Sequence, residues 1–235
     1  MLKVLDSAVP VSCWSCSVAH NESTLFCPHC SKIQPPPGGD YYSVFGFKPH
    51  LNIDLAVLEH EFHRLSRKLH PDRFARSEEN EKQWSLADTA LLNDAYRTLK
   101  DPLRRTEYLL KLQGADGGHP HPAHAEPGTG SKNPSRVPAD LLEEVFELNL
   151  QIEEMRAANQ AGAENAEARQ SLTAAREKFA GLVEDVDDEL REQWTKWDEG
   201  DKSARPAAQR AMAELLDRRR YLSNLVRDIN EVLGA

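Results

Sequence analysis

Cysteine is confined to one short stretch. The chain of 235 residues has four, Cys13, Cys16, Cys27 and Cys30, and none beyond. That clustering excludes a disulfide framework spread through a secreted fold. The residues before Cys13 hold one lysine, one aspartate and no arginine, so they carry neither a secretory signal nor a transit peptide. A cytoplasmic protein is the expectation, with the mitochondrial matrix as the alternative for a chain whose presequence is absent. No apolar run reaches the length of a membrane span, so no membrane partner is expected. A glycine-rich phosphate loop and a Ser/His/Asp set are also missing, and the chain does not read as an enzyme. Basic excess is lacking too. The net charge is −9, and all of it falls in residues 139–235, which hold 22 acidic and 13 basic side chains. Nucleic acid is therefore not an expected partner.

What is present falls into blocks. Residues 1–36 contain the Cys-rich unit and lead into "QPPPGGD", Gln34 to Asp40, which reads as a linker. Residues 40–112 read as a compact helical domain. Leu55, Leu58, Phe62, Leu65 and Leu69 recur at spacings of three and four and form one helix face, with Asn52 or Asp54 as N-cap. Pro71 ends that helix near Leu69. A second helix is predicted from about Glu79 to Lys100, with Trp84, Ala87, Leu91, Ala95 and Leu99 inward, and a third opens at Pro102. Residues 113–138 are rich in Gly, Pro, Ser and His and read as a flexible linker. The spacing of His119, His121 and His124 there is read as compositional rather than metal-binding.

Residues 139–235 predict three amphipathic helices. Their inward positions are Leu141, Val145, Leu148, Ile152 and Met155; then Leu172, Ala175, Phe179, Leu182, Val186, Leu190 and Trp194; then Leu215, Leu222, Leu225, Ile229 and Leu233. The fold class is all-α: a helical hairpin domain and a C-terminal three-helix bundle, preceded by a small zinc-binding knuckle unit.

Two places can carry function. "CWSC" and "CPHC" set Cys13, Cys16, Cys27 and Cys30 at paired knuckle spacing, which closes a tetrahedral metal site. A unit this small has no core of its own, so metal binding would supply its stability. Structural zinc is the preferred reading; an iron site or a redox pair is the alternative. His20 and His29 are spare ligands that the zinc reading does not need. The second place is "RKLHPDRF", Arg67 to Phe74. His70, Pro71 and Asp72 can be a plain turn. They also sit at the tip of a hairpin, where packing requires neither His70 nor Asp72. Arg64, Arg67, Lys68, Arg73 and Arg76 surround them as a basic face suited to an acidic partner.

"DYYSVFGF", "RLSRKLHPDRF" and "LLNDAYRTLKDPLRRTEYLLKLQG", followed by an acidic three-helix block, resemble the HscB family of J-domain co-chaperones. The likeness covers residues 40–235, and the paired-CxxC unit is similar to the zinc-binding extension of some members. The linker is longer than the family pattern. The resemblance implies that a DnaK/HscA-class ATPase chaperone binds His70, Pro71, Asp72, Arg64, Arg67, Lys68 and Arg73. It implies stimulated ATP hydrolysis, with Asp72 pairing to an arginine of the partner. It also implies that the C-terminal bundle holds an iron–sulfur cluster scaffold protein of the IscU type. The matching positions are Leu142, Phe146, Glu147, Leu150 and Glu154 on the first bundle helix and Tyr221 on the third. Leu142, Phe146 and Leu150 lie off the inward stripe, so they either stand exposed or widen the core face. Glu143 occupies a place where the family patch is apolar. A homodimer through the zinc unit remains open. Two other functions are weighed: a general J-protein for protein folding, and a zinc-dependent redox or metal-transfer protein.

Overall fold

The computed structural model describes residues 11–20, 24–114, 138–162 and 165–234. His119, His121, His124 and the side chain of His20 lie outside them, as does nearly all of the predicted linker. The chain divides into two compact units between Leu112 and Gln113.

The first unit opens with a two-stranded antiparallel ribbon, β1 (Val11–Ser12) and β2 (Ala19–His20). A short helix, α1 (Tyr41–Val44), follows the Pro/Gly stretch, with Asp40 accepting the Ser43 amide as its N-cap. The hairpin is formed by α2 (Leu55–Leu69) and α3 (Glu79–Lys100). Asp54 caps α2 by accepting the Ala56 and Val57 amides. Pro102 opens α4 (Pro102–Leu112), whose free amides at Leu103 and Arg104 are taken by the Asp101 carboxylate. Leu51, Leu58, Leu65, Leu69, Leu92, Leu99 and Leu109 form the core with Tyr42. Tyr108 stacks on Tyr41 with centroids 4.5 Å apart and accepts the Tyr41 amide at 2.8 Å, which fastens α4 to α1.

Two details of the predicted faces differ. Leu55, in the first turn of α2, is exposed, and Phe62 is half-buried where it stacks on Tyr96. On α3 the buried residues are Glu81, Ser85, Asp88, Leu92, Ala95 and Leu99. Trp84 and Leu91 are half-buried and Ala87 is exposed. The inward face of the first half of α3 is thus rotated by one residue and is polar. The reason is that two of these side chains have partners there: Glu81 a lysine of the Cys-rich unit and Ser85 a carbonyl of α2.

The second unit is a bundle of α5 (Leu142–Ala161), α6 (Ala166–Glu199) and α7 (Arg205–Leu233). Gly162 ends α5 in the left-handed conformation at φ 65°, a geometry glycine adopts without penalty. All the inward positions predicted for α5 are buried. On α6, Ala175 and Leu182 are only half-buried while Trp197 joins the core, and on α7 Met212 and Leu216 take the place expected of Leu215, which is half-buried. Arg219 grips Asp187 with two hydrogen bonds of 2.5 and 3.0 Å, and Asn159 donates to the Val232 carbonyl at 3.0 Å. Among the described residues no helix is long and apolar enough to cross a membrane.

Candidate functional site: a hairpin tip, a cysteine cluster and an exposed apolar stripe

The tip of the hairpin is set by proline. Leu69 is the last residue of α2, His70 turns the backbone to φ −53° and ψ 127°, and Pro71 begins a 3-10 turn over Pro71–Phe74. The extended ψ at His70 is what a following proline demands. His70 Nδ1 accepts the Asp72 amide at 3.3 Å. The base of the turn is pinned from the other helix: Ser85 donates to the Leu69 carbonyl at 2.6 Å, and Thr89 lies 3.4 Å from the same oxygen. The result is a pinned seat for an exposed carboxylate. The Asp72 side chain is 91% exposed, and among the described residues its ionic neighbour is His70, at 3.5 Å.

The cations form a face around this tip, but not with equal freedom. Arg67, Lys68, Arg73 and Arg76 are exposed. Arg64 is held by Glu61 through two bonds of 2.5 and 2.8 Å, which partly neutralises it and lowers the Glu61 pKa. Behind the tip, Asp88 is fully buried and neither carboxylate oxygen has a hydrogen-bond partner. Burial pushes its pKa up to about 7.

The four cysteines converge as spacing predicts. Their sulfurs lie within 4.8 Å of one another, with Cys13–Cys30 at 3.6 Å and Cys16–Cys27 at 3.8 Å. Four sulfurs bonded at about 2.3 Å to one tetrahedral ion stand about 3.8 Å apart, so the set fits a metal such as zinc. The two knuckles share one backbone design. The Cys13 and Cys27 amides donate to the Val18 and Lys32 carbonyls, and Ser17 and Ser31 both sit at φ 59°. Amides of Ser15 and Cys16 point at Cys13 Sγ, and that of His29 at Cys27 Sγ. Burial opposes the Cys13 thiolate, yet the Cys16 and Ser15 amides and the neighbouring thiols outweigh it and bring the pKa down to about 6. The Val18 amide favours the Cys16 thiolate, but burial and three nearby sulfurs prevail and push it up to about 12. A cation among the sulfurs relieves that conflict. The His29 side chain is not needed as a ligand.

Sequence reading missed that this unit is seated on the hairpin. Trp14 meets Trp84 edge-on at 5.5 Å and donates to the Ile33 carbonyl at 2.6 Å. Lys32 bonds the buried Glu81 at 2.9 Å, and Lys68 lies over the Phe26 ring at 5.9 Å. The available signal was an acid, Glu81, on the inward phase of α3.

In the other unit α5 is apolar on two sides. Leu142, Phe146 and Leu150 are 58%, 65% and 55% exposed, one turn apart, while Val145, Leu148, Ile152 and Met155 face inward. Of the two readings open for these residues, exposure is the observed one. Glu147 and Glu154 flank the stripe, Glu143 is exposed beside it, and Tyr221 is half-buried on α7. Such a row on a water-facing helix can serve as a contact surface.

Comparison with known proteins agrees with this architecture. The DnaJ domain model matches residues 40–108. The iron–sulfur cluster co-chaperone protein HscB of Mus musculus is 31% identical over 222 residues, covering 93% of this chain and 81% of that protein. A co-chaperone HscB homologue of Shewanella is 48% identical over 80 residues, 34% of this chain and 46% of the relative. The crystal structure of human HscB aligns with a TM-score of 0.55 and 28% identity over 94% of this chain and 97% of that one. HscB from Vibrio cholerae gives 0.53 and 26% over 83% and 97%. The relatives are co-chaperones rather than enzymes. With the J-domain matched and the mouse relative aligned over most of both chains, the chain belongs to the HscB family of J-domain co-chaperones.

Proposed function

We propose that this protein couples a DnaK/HscA-class chaperone to an IscU-type iron–sulfur scaffold, serving cluster assembly or transfer. The carrying observation is the Asp72 carboxylate, almost fully exposed on a turn that Ser85 fixes to the second helix. A side chain with no packing role, held at a rigid tip amid cations, is built to meet another molecule. In this reading Asp72 pairs with an arginine of the chaperone, Pro71 fixes the turn, and Arg67, Lys68 and Arg73 steer the encounter with Arg64 in a lesser part. The effect on ATP hydrolysis is exerted through the partner, since the J-domain supplies no group that acts on phosphate.

The scaffold is held on Leu142, Phe146 and Leu150, with Glu147, Glu154 and Tyr221 around them. Their exposure supports that role, because three large apolar side chains in water are costly unless a partner covers them. Cys13, Cys16, Cys27 and Cys30 hold zinc, which fixes the fold of the N-terminal unit and leaves no ligand position open.

The test is steady-state ATP hydrolysis by a DnaK- or HscA-class chaperone, with this protein present and the scaffold present or absent. Synergistic stimulation is expected, lost in Asp72→Asn at unchanged helical content. Stimulation that ignores the scaffold would leave a general J-protein. Retained stimulation in Asp72→Asn would remove the trigger role from the tip.

A further inference from the structure

The seated four-cysteine unit changes the shape of the face that carries the trigger. Between the unit and the hairpin lies an open cleft of about 370 Å³. One wall is Phe26, Ser31, Lys32 and Ile33; the other is Lys68, Arg73 and Phe74, with Ser77 and Glu81 completing it. The cleft stands half open to solvent, a groove that can take side chains of a passing segment rather than enclose a ligand.

Its electrostatics are one-sided. Lys32, Lys68 and Arg73 contribute three cations and Glu81 one carboxylate. Glu81 is already satisfied by Lys32 at 2.9 Å. Among the described residues neither Lys68 nor Arg73 has a carboxylate within ion-pair distance. Phe26 and Phe74, both half-buried, add aromatic surface beside those cations. The cleft also borders the tip: Arg73 and Phe74, which line it, directly follow Asp72 in the same 3-10 turn.

We infer that the four-cysteine unit is one wall of the chaperone-docking surface, and that the cleft receives an acidic segment of the chaperone that reads Asp72. The inference rests on the chaperone reading above and extends it: the N-terminal unit recognises the partner as well as stabilising itself. Negative side chains in the cleft meet Lys68 and Arg73 from the hairpin and the unpaired hydrogens of Lys32 from the other wall.

The experiment uses the full-length, zinc-loaded protein and a DnaK-class chaperone in its ATP state. Hydrogen exchange of the wild type should show residues 26–33 gaining protection on chaperone binding together with residues 67–77. Ser31→Asp puts a carboxylate on the cleft rim, and aspartate tolerates the left-handed backbone of that position. It should weaken chaperone affinity about threefold to tenfold at low salt, with the loss shrinking as salt screens it. Zinc content, melting and stimulation at saturating chaperone should stay as in wild type. Should Ser31→Asp lose zinc, Lys32→Gln replaces it, with its amide still able to donate to Glu81. Wild-type affinity in a zinc-loaded variant, or no protection of residues 26–33, overturns the inference. A loss of scaffold binding with chaperone binding intact overturns it as well. Asp72→Asn separates the two levels: if it still stimulates, the tip is not the trigger and the reading this inference rests on falls; if it does not, and Ser31→Asp binds normally, only the cleft is refuted.

Discussion

Asp88 makes the stability of the hairpin depend on pH in a direction opposite to that of most carboxylates. The side chain is fully buried on α3, and neither oxygen is hydrogen-bonded. Its pKa rises from 3.8 to about 7 because burial disfavours the charge. The native state therefore holds a proton that the unfolded chain releases near pH 4. Stability from this residue is fully present below pH 3.8 and is lost as pH rises through 7. Integrating between pH 4.5 and pH 8 with these two values gives a loss of about 3 kcal/mol. Asp88→Asn keeps the shape and removes the titration. The variant should exceed wild type by about 1 kcal/mol at pH 4.5 and by about 4 kcal/mol at pH 8, so that the gap widens by about 3 kcal/mol. The readout is hydrogen exchange of the α3 amides, Glu79 to Lys100, which isolates this unit from the bundle. Intrinsic exchange speeds up with pH equally in both proteins, so the difference between them is unaffected. If the stability difference were the same at both pH values, Asp88 would be charged or free in both states, and the account of a proton held by burial would fail.

Three further outcomes are expected. Leu142→Ala with Phe146→Ala should weaken scaffold binding at least tenfold in calorimetry while melting moves little, since both side chains are more than half exposed; a fall of many degrees would place them in the core. Cys13→Ser should abolish stoichiometric zinc on a colorimetric release assay, and it should speed exchange in the first turns of α3, because Glu81 loses the seat of Lys32. Unchanged zinc would refute the four-sulfur assignment. Ser85→Ala removes the shorter bond to the Leu69 carbonyl and should cost about 1 kcal/mol, Thr89 still being near, with a loss of ATPase stimulation larger than that stability change accounts for. Wild-type stimulation in Ser85→Ala would mean that the tip needs no fixing.

Helix positions were readable where side chains announce them. Asp54, Pro71, Asp101 and Pro102 bound α2, α3 and α4 by local chemistry, so the second helix falls where expected, from Glu79 to Lys100. The cysteine cluster was readable because two CxxC spacings leave few alternatives. The inward face of α3 was not. Apolar periodicity points to Trp84, Ala87 and Leu91, whereas the interior takes Glu81, Ser85 and Asp88. Glu81 and Ser85 are inside because partners distant in sequence wait for them, and no periodicity encodes a partner. The same reason hid the seating of the four-cysteine unit: "QPPPGGD" looks like a spacer, yet Gln34 is buried and donates to Cys13 Sγ, and Asp40 caps α1. Periodicity also left Leu142, Phe146 and Leu150 undecided. A helix with apolar residues on two sides has no single inward direction until its neighbours are placed.

The bond between Lys32 and Glu81 joins residues 49 positions apart. During synthesis the four thiols leave the ribosome well before the helix that will seat them. At that stage the nascent unit has no partner for Lys32 and no surface for Trp14, so only the ion can hold it together. On the zinc reading proposed above, metal capture would come first and the hairpin would fold onto a finished object. On that reading, a cell short of zinc would release chains whose hairpin tip is complete but whose N-terminal neighbour never arrived, and those chains would be the ones exposed to proteases.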